Sequence, residues 1–535
     1  MKPQYRSYLL FLSIFIFGSF FVGDYGISWD ENWHRHRGKE VIAFIAKKIH
    51  INRLLNIPEN LGDLSGHIGG YGAFFDVLCG VIEEFFLNDE REVFLMRHFV
   101  NFSIYFLGVY IFFLLLKEFF NSQKYAFIGS MFYFLHPRLI AHGFFNMKDS
   151  LAQSFVVIAL FPIYLIYKNK DYRDCIIAGL LCGLAITTRL PVIFLPVLFI
   201  FLLIFQVFIE KKNILSPNFL KRIMTFIIFT ILGTYVFWPM LWEAPLLNFK
   251  TNFYNMKNYI SPATNYFLGS YLAAKNLPWY YIPSWIFFTT PITFLVTFFI
   301  GTLKIIKNMV YERNSENLFN SFMLLGFFLP VIVIIYLEST LYGGWRHMFF
   351  IYPFMSFIMI TGFKYLLDFI FLKLNTSRYY LKIIISIMVF IEPVYSIIKF
   401  HPVQQVYFNS FAGIDPMKNF EGDYWGVSNK VGLEWIVNND KREFIRVVYN
   451  QGMAPVSINR HMLKKEDRGR LKFIAKKEGM ILKEIEADYY ITNFYNDASE
   501  YLKMKAGNTF PYNKCVYSLD INQMSILSIY DISHD

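Results

Sequence analysis

Apolar residues along this chain come in long runs rather than in alternation, and the runs approach the length that a bilayer demands. A helix crosses the hydrocarbon core with about 20 apolar residues. Segments of this kind fall near 8–23, 95–116, 125–141, 150–167, 174–188, 190–209, 223–242, 283–303, 318–337, 346–366 and 381–398, the third and fifth being the weakest. The pattern predicts a polytopic α-helical membrane protein with about 11 transmembrane helices. The first run has a basic start but no small-residue cleavage site before Asp24, so it reads as an anchor with a cytoplasmic N-terminus.

After residue 399 the long runs stop. Short strand-like stretches follow at Phe444–Tyr449, Leu471–Ile474, Asp488–Thr492 and Ser525–Tyr530, interleaved with helix-like segments such as Val431–Val437. The expected organisation is a multi-span domain over 1–399, interrupted by loops at 24–94 and 243–282, and a small C-terminal α/β domain over 400–535. A helix from Trp29 to Ile49 would set Val41, Ile42, Phe44, Ile45 and Ile49 on one side and Arg35, Lys39, Lys47 and Lys48 on others. That distribution suits a helix lying in the membrane interface as a lip, and equally one packed on the bundle.

Composition strengthens the membrane reading: 55% of residues are hydrophobic and 20% aromatic, well above an ordinary soluble domain. A net charge of +11 raises nucleic-acid binding, but the basic residues flank apolar segments instead of forming a patch, so no nucleic-acid partner is expected. Short cytoplasmic loops should carry the excess of Lys and Arg. Lys117, Lys124, Lys168, Lys170, Arg173, Lys211, Lys212, Lys221, Arg222, Lys304, Lys307, Arg313, Lys364, Lys373, Arg378 and Lys382 all fall in loops assigned inside. The short outer turns hold only Arg138, Lys148, Arg189 and Arg346. With an odd number of spans the tail is extracytoplasmic, on the same side as both long loops.

The four cysteines, Cys79, Cys175, Cys182 and Cys515, have neither disulfide nor metal-site spacing. There is no GxGxxG, GxxxxGK[ST], GxSxG or HExxH, and Gly69-Gly70-Tyr71-Gly72 reads as a turn without a strand-to-helix setting. ATP-driven chemistry and the commonest hydrolases are thereby set aside. What the outer face does collect is Asp30 and Glu31 after the first span, Arg97 and His98 at the second, His142 through Asp149 before the fourth, Arg189, and Arg346-His347. Paired acids just outside the hydrocarbon stay hydrated, yet can act on a substrate held in the bilayer by a lipid tail.

Several stretches together resemble the polyprenyl-phosphate-sugar-dependent glycosyltransferases of the GT-C type, among them the protein O-mannosyltransferases and the lipid A aminoarabinose transferases. They are Gly26-Ile27-Ser28-Trp29-Asp30-Glu31, His142 through Asp149, Gly183 through Arg189, and Gly344-Trp345-Arg346-His347 before Tyr352-Pro353. His401 through Asn409 and Asp423-Tyr424-Trp425-Gly426 resemble bacterial members with an outer C-terminal domain. The resemblance implies an active-site cavity at the outer leaflet, with a catalytic Asp supplied by the first outer loop. Bottom-up chemistry asks for the same groups. Attack of an acceptor hydroxyl on the anomeric carbon of a sugar phosphate needs a base, here Asp30, with Glu31 as an orienter or acceptor-binding group. The lipid-phosphate leaving group is already anionic and needs cations, for which Lys148, Arg189, Arg346 and Arg97 are candidates, with His347 and His98 as secondary donors. Snorkelling or headgroup contact is the ordinary alternative for each cation.

Asp149 has three open roles: pairing with Lys148, capping the following helix, or holding a divalent cation together with Asp30 and His142. Metal dependence is left undecided and no other cofactor is expected. A single displacement would invert the anomeric configuration. Expected partners are the polyprenyl-phosphate sugar (hexosyl or pentosyl), membrane lipid, and a protein, lipid or glycan acceptor. The expected setting is a bacterial cytoplasmic (inner) membrane with the site and tail outside. The competing class is a transporter or flippase of lipid-linked sugars, which would place ionisable groups near the bilayer midplane in related halves; a non-catalytic binding relative is the third.

Overall fold

The computed structural model describes residues 3–50, 58, 60–64, 66, 69–259, 261–312, 315–373, 379–452, 455–495, 497–507 and 509–533. Helix α1 (Pro3–Ser19) leads into two loop helices, α2 (Glu31–Lys48) and α3 (Phe74–Phe86). The chain then runs back and forth through α4 (Glu90–Phe120), α5 (Gln123–Phe134), α6 (Pro137–Phe145), α7 (Asp149–Asn169), α8 (Tyr172–Thr188), α9 (Phe194–Ile209) and α10 (Pro217–Val236). Helix α11 (Pro245–Lys257) and the antiparallel hairpin β1 (Thr264–Phe267) and β2 (Ser270–Ala273) occupy the second long loop. Helices α12 (Tyr281–Thr289), α13 (Ile292–Tyr311), α14 (Ser315–Tyr336), α15 (Tyr352–Lys373) and α16 (Tyr379–Lys399) complete the bundle.

Among the described residues eight helices are long and apolar enough to cross a membrane, and the chain is an integral membrane protein. The other three expected spans, 8–23, 125–141 and 174–188, are helical but shorter. The apolar part of α1 is only Ser7–Ser19, and α8 has 17 residues. Helix α5 stops at Phe134 because Pro137 cannot continue it, lacking an N–H and constraining the residue before it. Pro291 likewise parts α12 from α13. Alternation along the bundle is visible at the face opposite the long loops. There the C-terminal ends of α4, α7 and α9 meet through Lys168–Glu118 (3.1 Å) and Lys170–Glu210 (2.6 Å), and the starts of α8 and α10 through Tyr172 and the Asn218 carbonyl. Arg313 and Arg378, expected in basic loops, lie outside the described residues.

Helix α8 is held by close backbone approach. A Cβ on Gly183 would sit 2.5 Å from the Thr234 nitrogen of α10, and one on Gly179 2.7 Å from the Phe226 oxygen. This small-residue seam lets a short helix bury itself between α7 and α10. Helix α2 packs on α3, and its buried residues include His34, Arg37, Gly38, Glu40 and Val41.

The tail forms a five-stranded sheet in the order β4-β3-β5-β7-β6, built from β3 (Ile445–Asn450), β4 (Leu471–Lys476), β5 (Tyr489–Thr492), β6 (Cys515–Ile521) and β7 (Met524–Asp531). The first three are parallel and the last two antiparallel, with α17 (Asn429–Asn439) packed on β6 and β7. Short helices α18 (Lys465–Arg468) and α19 (Ala498–Ala506) fill the connections. Before this unit, residues 400–428 thread across the end of the bundle, burying Val403, Val406, Phe420 and Trp425 in the membrane domain's own core.

Candidate active site

The loop after α1 is tied on both sides. His401 Nε2 lies 2.8 Å from Asp24, the Tyr25 hydroxyl donates to Gln404 at 3.0 Å, and Ile27 exchanges two hydrogen bonds with the Asn459 side chain, at 2.7 and 3.0 Å. Gly26 is required there, since a Cβ would stand 2.4 Å from the Val427 oxygen. This loop delivers Asp30 and Glu31 into opposite surroundings. The Asp30 side chain is 41% exposed and faces the cluster described below. Glu31 is buried; one oxygen accepts the Ser28 N–H at 2.7 Å and the other lies 2.9 Å from His98 Nε2. His98 Nδ1 is 3.2 Å from the Val22 carbonyl, which can only accept, so that nitrogen carries a proton.

Asp149 opens α7 but does not cap it. Just before it, Asn146 Oδ1 accepts the N–H groups of Lys148 (3.2 Å) and Asp149 (2.9 Å). The carboxylate of Asp149 is thereby left for other partners and is almost fully buried. Oδ1 accepts from Arg189 Nε at 2.7 Å and from its Nη2, and Oδ2 accepts from Asn146 at 3.0 Å and from Arg346 Nη1 at 3.3 Å. Arg346 Nη1 also stands 3.5 Å from Asp30 Oδ2, so one guanidinium links the two acids. Its plane is boxed by Tyr342, Tyr424 and Trp425 at 4.8–5.0 Å, and its Nη2 donates to the Tyr424 hydroxyl at 3.1 Å.

Lys148 lies with Nζ 3.3 Å from the ring centre of Tyr71. Burial holds the ammonium below its usual range, with Tyr71 and Asp30 acting the other way. The Lys148 charge, followed by burial acting in the opposite sense and by the Arg189 charge, leaves the Tyr71 phenol lowered to about 8. The glycine turn carrying Tyr71 is fastened by Gly72 N–H to the Thr187 carbonyl (2.8 Å), Trp238 Nε1 to the Gly69 carbonyl (2.7 Å), and Arg37 to the Tyr71 carbonyl. A Cβ on Gly72 would fall 2.2 Å from Thr187 Cβ. Tyr71 and Tyr342 are members of the cluster that sequence reasoning did not select, whereas Tyr424 lies in the Asp423-Tyr424-Trp425-Gly426 stretch that it singled out. The signal for Tyr71 was its glycine-crowded turn, where only glycine fits.

His347 stacks edge-on against Tyr342 beside the same cations. His142 contacts Phe349 and Trp425 and meets Asp149 only through Asn146, which is 3.1 Å from His142 Nδ1. Arg97 is not brought to this cluster. It is buried 3.7 Å from Glu83 in a second charged group under α2, where Asp76 pairs with His34 (3.1 Å) and with Arg37. Burial would raise the Asp76 carboxyl, but His34 and Arg37 bring it down to about 2. For a divalent ion the donor set does not converge. Both Asp149 oxygens face Arg and Asn donors, and no group of three His, Cys, Asp or Glu side chains suited to a metal exists among the described residues.

Residues 91–238 match the family described as dolichyl-phosphate-mannose-protein mannosyltransferase. No curated protein matches the chain. Among solved structures the chain is similar to the apo oligosaccharyltransferase of Archaeoglobus fulgidus, with 11% identity, 90% of this chain and 69% of that one covered, and a TM-score of 0.49. It is also similar to ArnT from Cupriavidus metallidurans bound to undecaprenyl phosphate, with 11% identity, 99% and 98% coverage and a TM-score of 0.47.

Proposed function

We propose that this chain is a GT-C type glycosyltransferase that moves a sugar from a polyprenyl-phosphate carrier to an acceptor hydroxyl, inverting the anomeric centre. The observation carrying this reading is the Arg346 bridge, which sets a half-exposed Asp30 beside a fully engaged Asp149 and its cations at one end of the membrane bundle. The family match supports it, since the matched segment contains Lys148, Asp149 and Arg189.

In this reading the acceptor oxygen attacks the anomeric carbon while Asp30 takes its proton. The bond from that carbon to the phosphate oxygen breaks, and the polyprenyl phosphate leaves as an anion facing Lys148, Arg189 and the Tyr71 hydroxyl, with His347 beside them. Charge developing on the leaving oxygen meets prepositioned cations in a poorly hydrated pocket, where electrostatic stabilisation is strongest. Asp149 serves as an anchor: it fixes Arg189 and Arg346 and is itself held by Asn146. Glu31 orients the loop through His98. The charge pattern of the loops supports an outward-facing site on a bacterial cytoplasmic membrane, and the acceptor is a protein, lipid or glycan hydroxyl.

The test is transfer of labelled sugar from a panel of polyprenyl-phosphate sugars by purified protein in lipid, beside Asp30→Asn. Loss of the base is expected to lower kcat by at least 100-fold with folding intact. Absence of transfer from every donor, with membrane extract supplied as acceptor, would overturn the reading.

A further inference from the structure

Next to the Arg346 bridge a cleft opens between the bundle and the segment at 400–428 that crosses it, lined among others by Arg138, His142, Gln405, Glu421, Tyr424 and Trp425. It has room for groups the size of a water molecule. Three of its lining side chains, each more than nine-tenths buried, carry an atom with no hydrogen-bond partner: the donors Nη2 of Arg138 and Nε1 of Trp285, and the acceptor Oε1 of Gln405. Arg138 and Gln405 are otherwise firmly placed. Arg138 Nε donates to the Tyr407 carbonyl at 2.7 Å and its guanidinium lies 4.5 Å from the Phe408 ring centre, while Gln405 Nε2 donates to Asp423 at 3.0 Å. Glu421 closes the cleft, one oxygen accepting the Tyr266 N–H at 3.1 Å.

The chemistry of these atoms selects the ligand. Buried donors and a buried acceptor left unsatisfied are each costly, so the site favours a group that answers both kinds. A phosphate or carboxylate oxygen only accepts and would leave Gln405 unanswered. A lipid chain answers neither, and a cation is repelled by Arg138. A hydroxyl accepts from Arg138 and donates to Gln405 at once. We infer that this cleft recognises the ring hydroxyls of a sugar, one or two of which sit between Arg138 and Gln405 while the rest of the ring faces Arg346 and Asp30. This deepens the proposed glycosyl transfer and rests on it. The sugar is either the one being transferred or one belonging to the acceptor.

The experiment compares kcat/KM for undecaprenyl-phosphate sugars and their monodeoxy analogues in the native protein, Arg138→Lys and Gln405→Met. The native protein is expected to prefer the complete donor over one monodeoxy analogue by at least tenfold. Both variants should lose that preference, slowing the complete donor while leaving the analogue nearly unchanged, an outcome that mere misfolding does not produce. If the same collapse appears only with deoxy acceptors, the cleft is the acceptor's subsite and the hydroxyl recognition stands. Uniform slowing of all substrates, or an unchanged preference, overturns the inference even while Asp30→Asn shows the reaction to be real. If the native protein transfers from no donor, saturation-transfer NMR with free hexoses and pentoses decides separately. Signals lost in both variants keep the cleft as a sugar site, and no signal from the native protein removes it.

Discussion

Asp30 and Glu31 are adjacent carboxylates whose surroundings differ as much as a surface differs from a core. Glu31 is locked to His98 and to the Ser28 amide, which fixes the turn that aims Asp30. Glu31→Gln keeps the shape but removes the charged partner of His98. A fall of about 10–100-fold in kcat with KM little changed is expected from misaiming the base; a change confined to KM would instead make Glu31 an acceptor-binding group. Tyr71 belongs to this scale too. With its phenol at about 8, it is a neutral donor below that pH. Above it, a phenolate forms that pairs with Lys148 and repels the lipid phosphate. Donor KM should therefore rise as pH passes through about 8, and Tyr71→Phe should flatten that alkaline limb in a pH profile while weakening donor binding throughout. The acids were legible in the sequence because two carboxylates follow an apolar run directly. Tyr71 was not, because its role depends on Lys148, a residue brought to it only by the fastening of a glycine turn to α8 and α10.

Helices were legible wherever a single apolar run meets the bilayer length, as in α4, α7 and α9. The short runs near 125–141 and 174–188 are helical as read, but their brevity has causes outside the run: Pro137 stops α5, and the glycine seam of α8 makes burial by neighbours sufficient. Helix α2 was legible as a helix, but its buried side also carries charges, which find partners on α3 that periodicity does not reveal. Asp76 is the centre of that arrangement. Asp76→Ala leaves His34 and Arg37 buried without this carboxylate, and a loss of about 3–5 kcal/mol is expected, measurable as a lowered unfolding temperature in detergent. The pH dependence has a definite sign. The folded carboxyl lies at about 2 against an ordinary 3.8, so its contribution is complete above the ordinary value and is lost as pH falls through about 2.

At the scale of the whole molecule, the sheet domain and the membrane bundle share one loop. Asn459 holds Ile27 from the domain side, and Arg468 reaches Asp89 at the start of α4 with two 2.8 Å bonds. Asn459→Ala should lower kcat by about tenfold through a looser Asp30, on the scale of one or two lost hydrogen bonds, without changing which acceptor is used; a shift in acceptor preference would instead make the domain a recognition module. The strands β3, β4, β5 and β7 were each legible from short apolar alternation, whereas β6 was not, being half-exposed along most of its length. The 400–428 segment resisted reading because its apolar residues serve the bundle's core, not the sheet.

The Asn459 clasp joins residues 432 positions apart. During synthesis the reactive loop leaves the ribosome long before its fastener exists, so an incomplete chain carries Asp30 without the contact that steadies it. The proposed activity is thereby tied to a part of the chain made long after the loop, and a product cut short before Asn459 would hold Asp30 only loosely.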